Sequence, residues 1–272
     1  VRAADLLPAA THRLAAAGIA EPARDARRLL AFALGIAPDR LILYLHDVVE
    51  SDVIDRFHAV IEERSKRRPL SQITGERLFW GRSFHVTRDV LDPRPETETL
   101  VELALSEPFE AVLDLGTGSG AILLTLLAER PEARGVGADI SPAALAVARE
   151  NALRLGISVD FTVSDWFSAI GGQFDLIVSN PPYIAAAEMA ALEPEVRDWE
   201  PQLALTPGGD GLDAYRRIAC EASAHLVPGG RVIVEIGPTQ GEAVVQLFRD
   251  EGFQSVKITP DMDGRDRVVM AR

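Results

Sequence analysis

The tetrapeptide Asn180-Pro181-Pro182-Tyr183 follows Phe174–Ser179, an apolar run that predicts a buried strand. Two consecutive prolines end that strand and stiffen the backbone, so nearby carbonyls point in fixed directions. Such a loop suits a planar –NH2 group as ligand. A conjugated nitrogen of this kind is a poor nucleophile, because its lone pair is delocalised. It also offers two N–H donors and a flat face. The Asn180 side-chain oxygen can accept one N–H and the Pro181 carbonyl the other, while the Tyr183 ring can stack on the plane. Held in this way, the nitrogen gains electron density and its lone pair can turn toward an electrophilic methyl. The transfer is then an in-line displacement helped by positioning and by acceptors matched to the charge developing on nitrogen. No strong general base is required, since the proton becomes acidic as the new bond forms.

Upstream, Asp114-Leu115-Gly116-Thr117-Gly118-Ser119-Gly120 leaves one predicted strand and opens a predicted helix. Glycines let the backbone turn tightly and approach a ligand closely. Asp139 ends the next predicted strand, where a carboxylate can accept both ribose hydroxyls of an adenosine. After the third strand comes Ser164-Asp165-Trp166-Phe167. Asp165 can accept from an adenine amino group, and Trp166 offers a ring for packing. Gly116, Gly118 and Ala121 also satisfy the dinucleotide pattern, with an acid about 20 residues on. The glycine loop and Asp139 therefore leave two readings open, a nicotinamide oxidoreductase and a methyltransferase. Only the methyltransferase accounts for the Asn180–Tyr183 loop.

These groups need elements to hold them. Strands are predicted at 111–115, 134–139, 158–163, 174–179 and 231–236. Helices are predicted near 97–106, 119–129, 142–154, 211–226 and 238–251. Two closing strands, 256–259 and 267–271, read as an antiparallel pair at one edge. Strands alternating with helices imply a doubly wound α/β fold with a mostly parallel sheet covered on both faces. Residues 1–75 differ in texture. Apolar stripes through Leu6–Leu14, Ala26–Leu34 and Val53–Ile61 predict a small helical domain, ending in the basic cluster Arg64, Lys66, Arg67 and Arg68. That cluster reads as a solvated helix end, with a docking patch for a partner as the alternative. Residues 76–95 read as a β-hairpin linker, closed by the turn Asp92-Pro93-Arg94-Pro95, and 96–272 as the domain that carries the chemistry.

Of 272 residues, 47% are hydrophobic and 25% charged, which fits a soluble globular chain, and no apolar run approaches the length of a membrane span. Val1–Asp5 lacks the pattern of a signal peptide. The single cysteine, Cys220, is expected to be a buried thiol. A cytoplasmic setting is expected, without membrane association. The net charge is −13, and residues 1–75 are close to neutral with 11 basic and 10 acidic side chains. The acidity lies in the predicted catalytic part, which should repel a phosphate backbone, so no direct nucleic-acid contact is expected. The scattered histidines and lone cysteine give no metal-ligand spacing, so no metal is expected.

At these residues the chain resembles the N5-glutamine methyltransferases of peptide chain release factors, the PrmC/HemK family. The likeness spans about residues 66–272 and rests on several segments in order. They are Arg94-Pro95-Glu96-Thr97-Glu98, Asp114 through Gly120, Ser164 through Phe167, Ser179 through Tyr183, Glu195-Val196-Arg197 with Glu200-Pro201, and Asp210-Gly211-Leu212 with Tyr215-Arg216. The resemblance implies a seven-stranded, Rossmann-like class I methyltransferase sheet and an N-terminal domain for partner recognition. It implies S-adenosyl-L-methionine as cofactor, with S-adenosyl-L-homocysteine as product. The implied substrate is the glutamine of the Gly-Gly-Gln motif in bacterial peptide chain release factors, and a monomeric enzyme is expected. Gly116, Thr117, Gly118, Ser119, Gly120, Asp139, Asp165 and Trp166 would hold the cofactor, and Asn180 would touch both cofactor and glutamine. Pro181, Pro182 and Tyr183 would frame the amide, with Arg94 and Glu96 over the site. One departure is visible: the family often has an apolar residue where this chain has Asp92.

Overall fold

A computed structural model describes all 272 residues, which form two compact units. The first comprises Val1–Glu76 together with the distant segment Glu193–Trp199. Its long helices are α1 (Ala3–Ala16), α2 (Pro22–Leu34) and α3 (Ser51–Ser65), followed by the short α4 (Leu70–Thr74). Pro22 sits in the first turn of α2, where its missing N–H has no role, and Gly35 closes the helix in the left-handed conformation. Leu14, Leu29, Leu30, Leu41, Phe57 and Ile61 meet in one apolar core. Each comes from a predicted stripe or from the 3-10 turn Pro38–Leu43.

Within the basic cluster Lys66 stays at the solvated helix end, beside Glu62 and Glu63, but Arg64 and Arg67 do not. Arg64 is buried, its Nε donating to Asp25 at 2.8 Å and its Nη1 to Glu195 at 3.2 Å. Arg67 donates to Glu195 at 2.9 Å, and Gln72 Nε2 reaches the Trp199 carbonyl at 3.0 Å. The Arg68 guanidinium lies 5.7 Å from the centre of the Trp199 ring. The segment containing α8 (Pro194–Arg197) supplies the acid that these arginines need, so residues far apart in sequence complete one folded unit.

The second unit comprises Arg77–Leu192 and Glu200–Arg272. Its hairpin, β1 (Glu76–Phe79) and β2 (Arg82–His85), turns at Trp80-Gly81, both with positive φ, as a tight two-residue hairpin loop demands. From Arg77 onward the predicted linker belongs to this unit, because Phe79 and Phe84 are buried beside Leu100, Val101 and Ala104. A 3-10 turn, Pro95–Thr97, then leads into α5 (Glu98–Leu105).

The sheet strands are β3 (Ala111–Leu115), β4 (Arg134–Asp139), β5 (Asp160–Val163), β6 (Phe174–Ser179), β7 (Leu226–Glu235), β8 (Val256–Pro260) and β9 (Asp266–Ala271). Their order is β5-β4-β3-β6-β7-β9-β8, parallel through β7, with β9 antiparallel to both its neighbours. The doubly wound, mostly parallel seven-stranded sheet is therefore as expected. The helices α6 (Ala121–Glu129), α7 (Pro142–Leu155), α10 (Asp213–Ala222) and α11 (Gly241–Asp250) cover it, with the short α9 (Gln202–Leu205) in a loop. β3 is buried along its whole length, as a central parallel strand should be. No helix is long and apolar enough to cross a membrane.

Cys220 is exposed, contrary to the expected buried thiol. The buried face of α10 is Ala214, Tyr215, Ile218, Ala219 and Ala222, and a residue at 220 points away from that stripe.

Replacing Arg64 with alanine would leave Asp25 without its cation, while Glu195 would keep only Arg67. Removing one partner of a buried pair typically costs about 3–5 kcal/mol. R64A is expected to lower the unfolding free energy by about 3 kcal/mol in urea denaturation. A loss below about 0.5 kcal/mol would assign the network no structural weight.

Candidate functional site

The strand order reverses between β3 and β6, and ligands of open α/β sheets bind beyond the carboxyl ends of strands at such a point. A cavity of about 370 Å³ opens there. Its walls include Gly116, Thr117, Gly118, Ser119, Asp139, Asp165, Trp166, Asn180, Pro182, Arg94 and Thr97. Most of the residues singled out from the sequence thus meet at one place. Gly120, Glu96, Pro181 and Tyr183 do not line it.

The glycine loop is held by its own backbone. Gly116, Gly118 and Gly120 all have positive φ, which a side chain would resist. The Thr117 N–H donates to Ala138 O at 2.9 Å, and the Gly120 N–H to Thr117 O at 2.8 Å. The Gly118 N–H donates to Asp139 Oδ2 at 2.9 Å, and Asp139 Oδ1 accepts from the Ser141 N–H at 2.9 Å. Each Asp139 oxygen keeps a lone pair for a ligand hydroxyl. Burial pushes the Asp139 carboxyl above its ordinary range, while these backbone N–H groups oppose the rise.

This pattern separates the two cofactor readings. A pyrophosphate needs unspent N–H donors at the glycine loop and the helix that follows. Here three loop N–H groups already serve protein acceptors. Behind the loop, Asp114 is fully buried, with Oδ2 accepting from Thr117 Oγ1 at 2.7 Å and Oδ1 without a partner. Burial pushes the Asp114 carboxyl up to about 7, the Thr117 hydrogen bond opposes this, and the nearby Asp139 charge adds to it. The acids at and behind the loop suit a ligand that is cationic and carries a ribose. S-adenosylmethionine fits both requirements; a dinucleotide phosphate meets neither the charge nor the donor set.

The Asn180–Tyr183 loop is fixed at both ends. Ser179 Oγ donates to Leu115 O at 2.7 Å, which ties the end of β6 to the end of β3. Gln240 Nε2 donates to Tyr183 O at 2.9 Å, while Gln240 Oε1 accepts from the Gly237 N–H at 3.0 Å. Gly211 has positive φ, and a Cβ there would collide with the Tyr183 carbonyl. Asn180 Nδ2 donates to Thr97 Oγ1 at 3.3 Å, which leaves Asn180 Oδ1 without a protein partner. The Tyr183 ring packs partly buried on the main core, and burial, with Glu235 next, pushes its hydroxyl up to about 12.

Arg94 is not a free cation at the cavity. Its Nη2 donates to both Glu200 oxygens, at 2.8 and 2.7 Å. Burial pushes Glu200 up to about 7, against the pull of Arg94. Asp92, placed where the family often has an apolar residue, is buried with Oδ2 3.6 Å from Arg77 Nη1. Trp166 stands at positive φ (52°) and packs against the main core.

Several supporting residues were not singled out from sequence. Asn151 is buried on α7; its Nδ2 donates to Ser119 O and to His85 O, each at 2.9 Å, and its Oδ1 accepts from the His85 N–H at 2.7 Å. The signal was available: a lone amide on an otherwise apolar helix face. Glu235, an acid closing the apolar strand β7, carries the same kind of signal.

A sheet of this order, with a glycine loop after β3 and an acid ending β4, defines a class I methyltransferase. A methyltransferase from Pyrococcus furiosus shares the fold with a TM-score of 0.55 at 18% identity, over 79% of this chain and 96% of that one. Residues 88–196 match the family model of the methyltransferase small domain, and residues 5–75 match that of the PrmC N-terminal domain. The chain is 62% identical to the release factor glutamine methyltransferase of Cereibacter sphaeroides, over 100% of this chain and 99% of that protein. It is 47% identical to that of Rhodospirillum rubrum, over 98% of this chain and 84% of the relative. The chain belongs to the release factor glutamine methyltransferase family.

Asp114 gives a pH test on the ligand-free protein. Its carboxyl is raised from an ordinary 3.8 to about 7, so folding favours the protonated form. The stability this contributes is complete below about pH 4 and is lost as pH rises through about 7. D114N should remove about one proton from the slope of unfolding free energy against pH between those limits. The difference between variant and wild type should change by about 4 kcal/mol across that window. Parallel pH profiles would show that Asp114 is ionised throughout.

Proposed function

We propose that this protein transfers the methyl group of S-adenosyl-L-methionine to the side-chain nitrogen (N5) of the glutamine in the Gly-Gly-Gln motif of bacterial peptide chain release factors. The observation that carries the reading is the orientation of Asn180. Its Nδ2 is engaged by Thr97, its Oδ1 has no protein partner, and the residue lines the cavity, so that oxygen is available to accept from a substrate –NH2. Asp139 would hold the ribose hydroxyls, with Asp165 and Trp166 at the adenine end and Gly116–Gly120 shaping the loop. When bound, S-adenosylmethionine supplies an electrophilic methyl on a positively charged sulfur.

The residues of this chain then have defined tasks. Asn180 Oδ1 accepts one amide N–H, and the Pro181 carbonyl accepts the other. Both acceptors stabilise positive charge as it grows on nitrogen, and the developing proton leaves to solvent without a dedicated base. Pro181 and Pro182 stiffen the loop so that these acceptors are set before the substrate arrives. Tyr183 gives its carbonyl to Gln240 and its ring to the core, so its contribution is to brace the loop. Arg94 and Glu96 mark the rim that meets the substrate segment.

The helical domain, residues 1–75, is assigned to partner recognition, and residues 96–272 to the transfer. The acidic balance of the second region supports a protein substrate in the cytoplasm, met by a monomeric enzyme without direct nucleic-acid contact. An exocyclic amine of rRNA or DNA would present a similar flat nitrogen, but the acidity opposes its phosphates.

Tritiated methyl transfer to unmodified release factor, compared with its Gly-Gly-Ala variant, tests the reading. Label is expected on the first and not on the second. N180A should still fold and bind S-adenosylmethionine, yet lose turnover by on the order of a hundredfold or more. Near wild-type turnover by N180A would refute the assigned chemistry. In calorimetry, NADH binding without S-adenosylmethionine binding would restore the oxidoreductase reading.

A further inference from the structure

The end of β2 is joined to the glycine loop by one buried amide. Asn151, on α7 and 1% exposed, donates through Nδ2 to the carbonyls of His85 and Ser119, each at 2.9 Å, and accepts through Oδ1 from the His85 N–H at 2.7 Å. His85 is the last residue of β2, and Ser119 lies within the loop. The amide has one workable orientation. A flip would set its oxygen against two carbonyls and its –NH2 against an N–H. α7 also runs close to the loop, since a Cβ on Gly120 would lie 3.4 Å from the Ala148 Cβ.

Both ends of this bridge lead into the cavity. Ser119 lines it, next to Gly118, whose N–H is taken by Asp139. The chain beyond His85 contributes Val90, Leu91, Pro93 and Arg94 to the lining. Val86 and Val90 seat that stretch on α7 against Ala144 and Val147. Apolar contacts hold surfaces together without fixing their register, whereas hydrogen bonds are directional. The Asn151 amide therefore sets where the stretch after β2 stands relative to the loop.

We propose that Asn151 is a positioning residue for cofactor binding, holding the stretch after β2 to the glycine loop so that the cavity is formed before S-adenosylmethionine arrives. The assignment rests on the reading of this cavity as the cofactor site. Asn151 does not line the cavity, so it acts through Ser119 and His85. Without its –NH2 the buried Ser119 carbonyl loses a donor, and it regains one from water only if wall and loop part. A parted cavity binds no cofactor, so the apparent affinity falls with the fraction of molecules in which the cavity is formed. Once cofactor is bound the cavity is closed, and the transfer step is little changed. The hairpin thereby has a task beyond joining two units of the chain.

The test compares N151L and N151D with the wild type by calorimetric binding of S-adenosylmethionine, thermal unfolding and methyl transfer to unmodified release factor. N151L keeps the approximate size and removes all the amide hydrogen bonds. N151D keeps the shape and the acceptor for the His85 N–H but, when ionised, donates nothing to Ser119. In both, Kd and KM for S-adenosylmethionine should rise on the order of tenfold or more, with kcat at saturating cofactor within about threefold of wild type. L145A is the control for general destabilisation, because Leu145 is fully buried on the same helix and does not line the cavity. It should lower the melting temperature and leave Kd within about twofold of wild type. Wild-type Kd in either Asn151 variant would overturn the assignment alone, as would an equal rise in L145A or a loss of kcat larger than the rise in Kd. If neither Asn151 variant folds, hydrogen exchange of the wild type decides. Saturating S-adenosylmethionine should slow exchange of the His85 amide by at least about threefold, and a smaller change would overturn the assignment. No S-adenosylmethionine binding by the wild type would overturn the cofactor reading and this assignment with it.

Discussion

The cavity hangs from the pairing of one residue with two partners. Leu115, last in β3, is in register with Ala138 on one side and Ser179 on the other. Parallel pairing puts the carboxyl ends of β3, β4 and β6 side by side, so the glycine loop, Asp139 and the Asn180 loop leave the sheet within reach of each other. The Ser179 hydroxyl reinforces the match by donating to the Leu115 carbonyl. A shift of one residue in either ladder would turn strand side chains to the opposite face and misplace the loops they carry. β3 is buried along its whole length, with Ala111, Leu113 and Leu115 packed into one core cluster and Val112 into the other.

Around that anchor the site works through acceptors. Asp139 takes up the Gly118 donor that a phosphate would otherwise use. The cavity is thereby fitted for a ligand that carries hydroxyls and positive charge. On the substrate side the requirement is similar. An amide nitrogen brings donors, so the protein must present oxygens and keep its own donors turned away. Buried acids such as Asp114 and Glu235, both raised to about 7 by burial, are the energetic cost of that arrangement. Burial makes their charged forms unfavourable for the fold.

What could be read from the sequence was what is local. The Phe174–Ser179 strand, the glycine loop and the double proline each announce themselves within a few residues, and the structure places them where periodicity and turn chemistry require. Strand ends were less legible: β5 begins at Asp160 and not at 158, and β7 starts at Leu226, well before 231. Contacts between distant segments left weaker traces. Arg64 looked like a solvated cation because its partner acid Glu195 lies 131 residues away. The hairpin looked like a linker because nothing near it in sequence shows the core that buries Phe79 and Phe84. Cys220 departs from the general preference of a free thiol for burial, because its position lies off the five-residue face that α10 buries. Thr97 sat inside a recognised motif, but its partner Asn180 lies 83 residues downstream.

The interleaving of Glu193–Trp199 with the helical unit sets a timetable for synthesis. The chain leaves the ribosome from its N-terminus at roughly 5–20 residues per second, so Glu195 emerges on the order of ten seconds after Arg64. Throughout that interval the three helices can collapse on their apolar stripes, and Arg64 can reach Asp25. Arg67, however, still lacks the carboxylate that the finished fold supplies. The first unit to be translated is therefore not the first to be completed. Its last pieces arrive only after β6 and the Asn180 loop have been made, which ties maturation of the helical unit to translation of the segment that carries the chemistry.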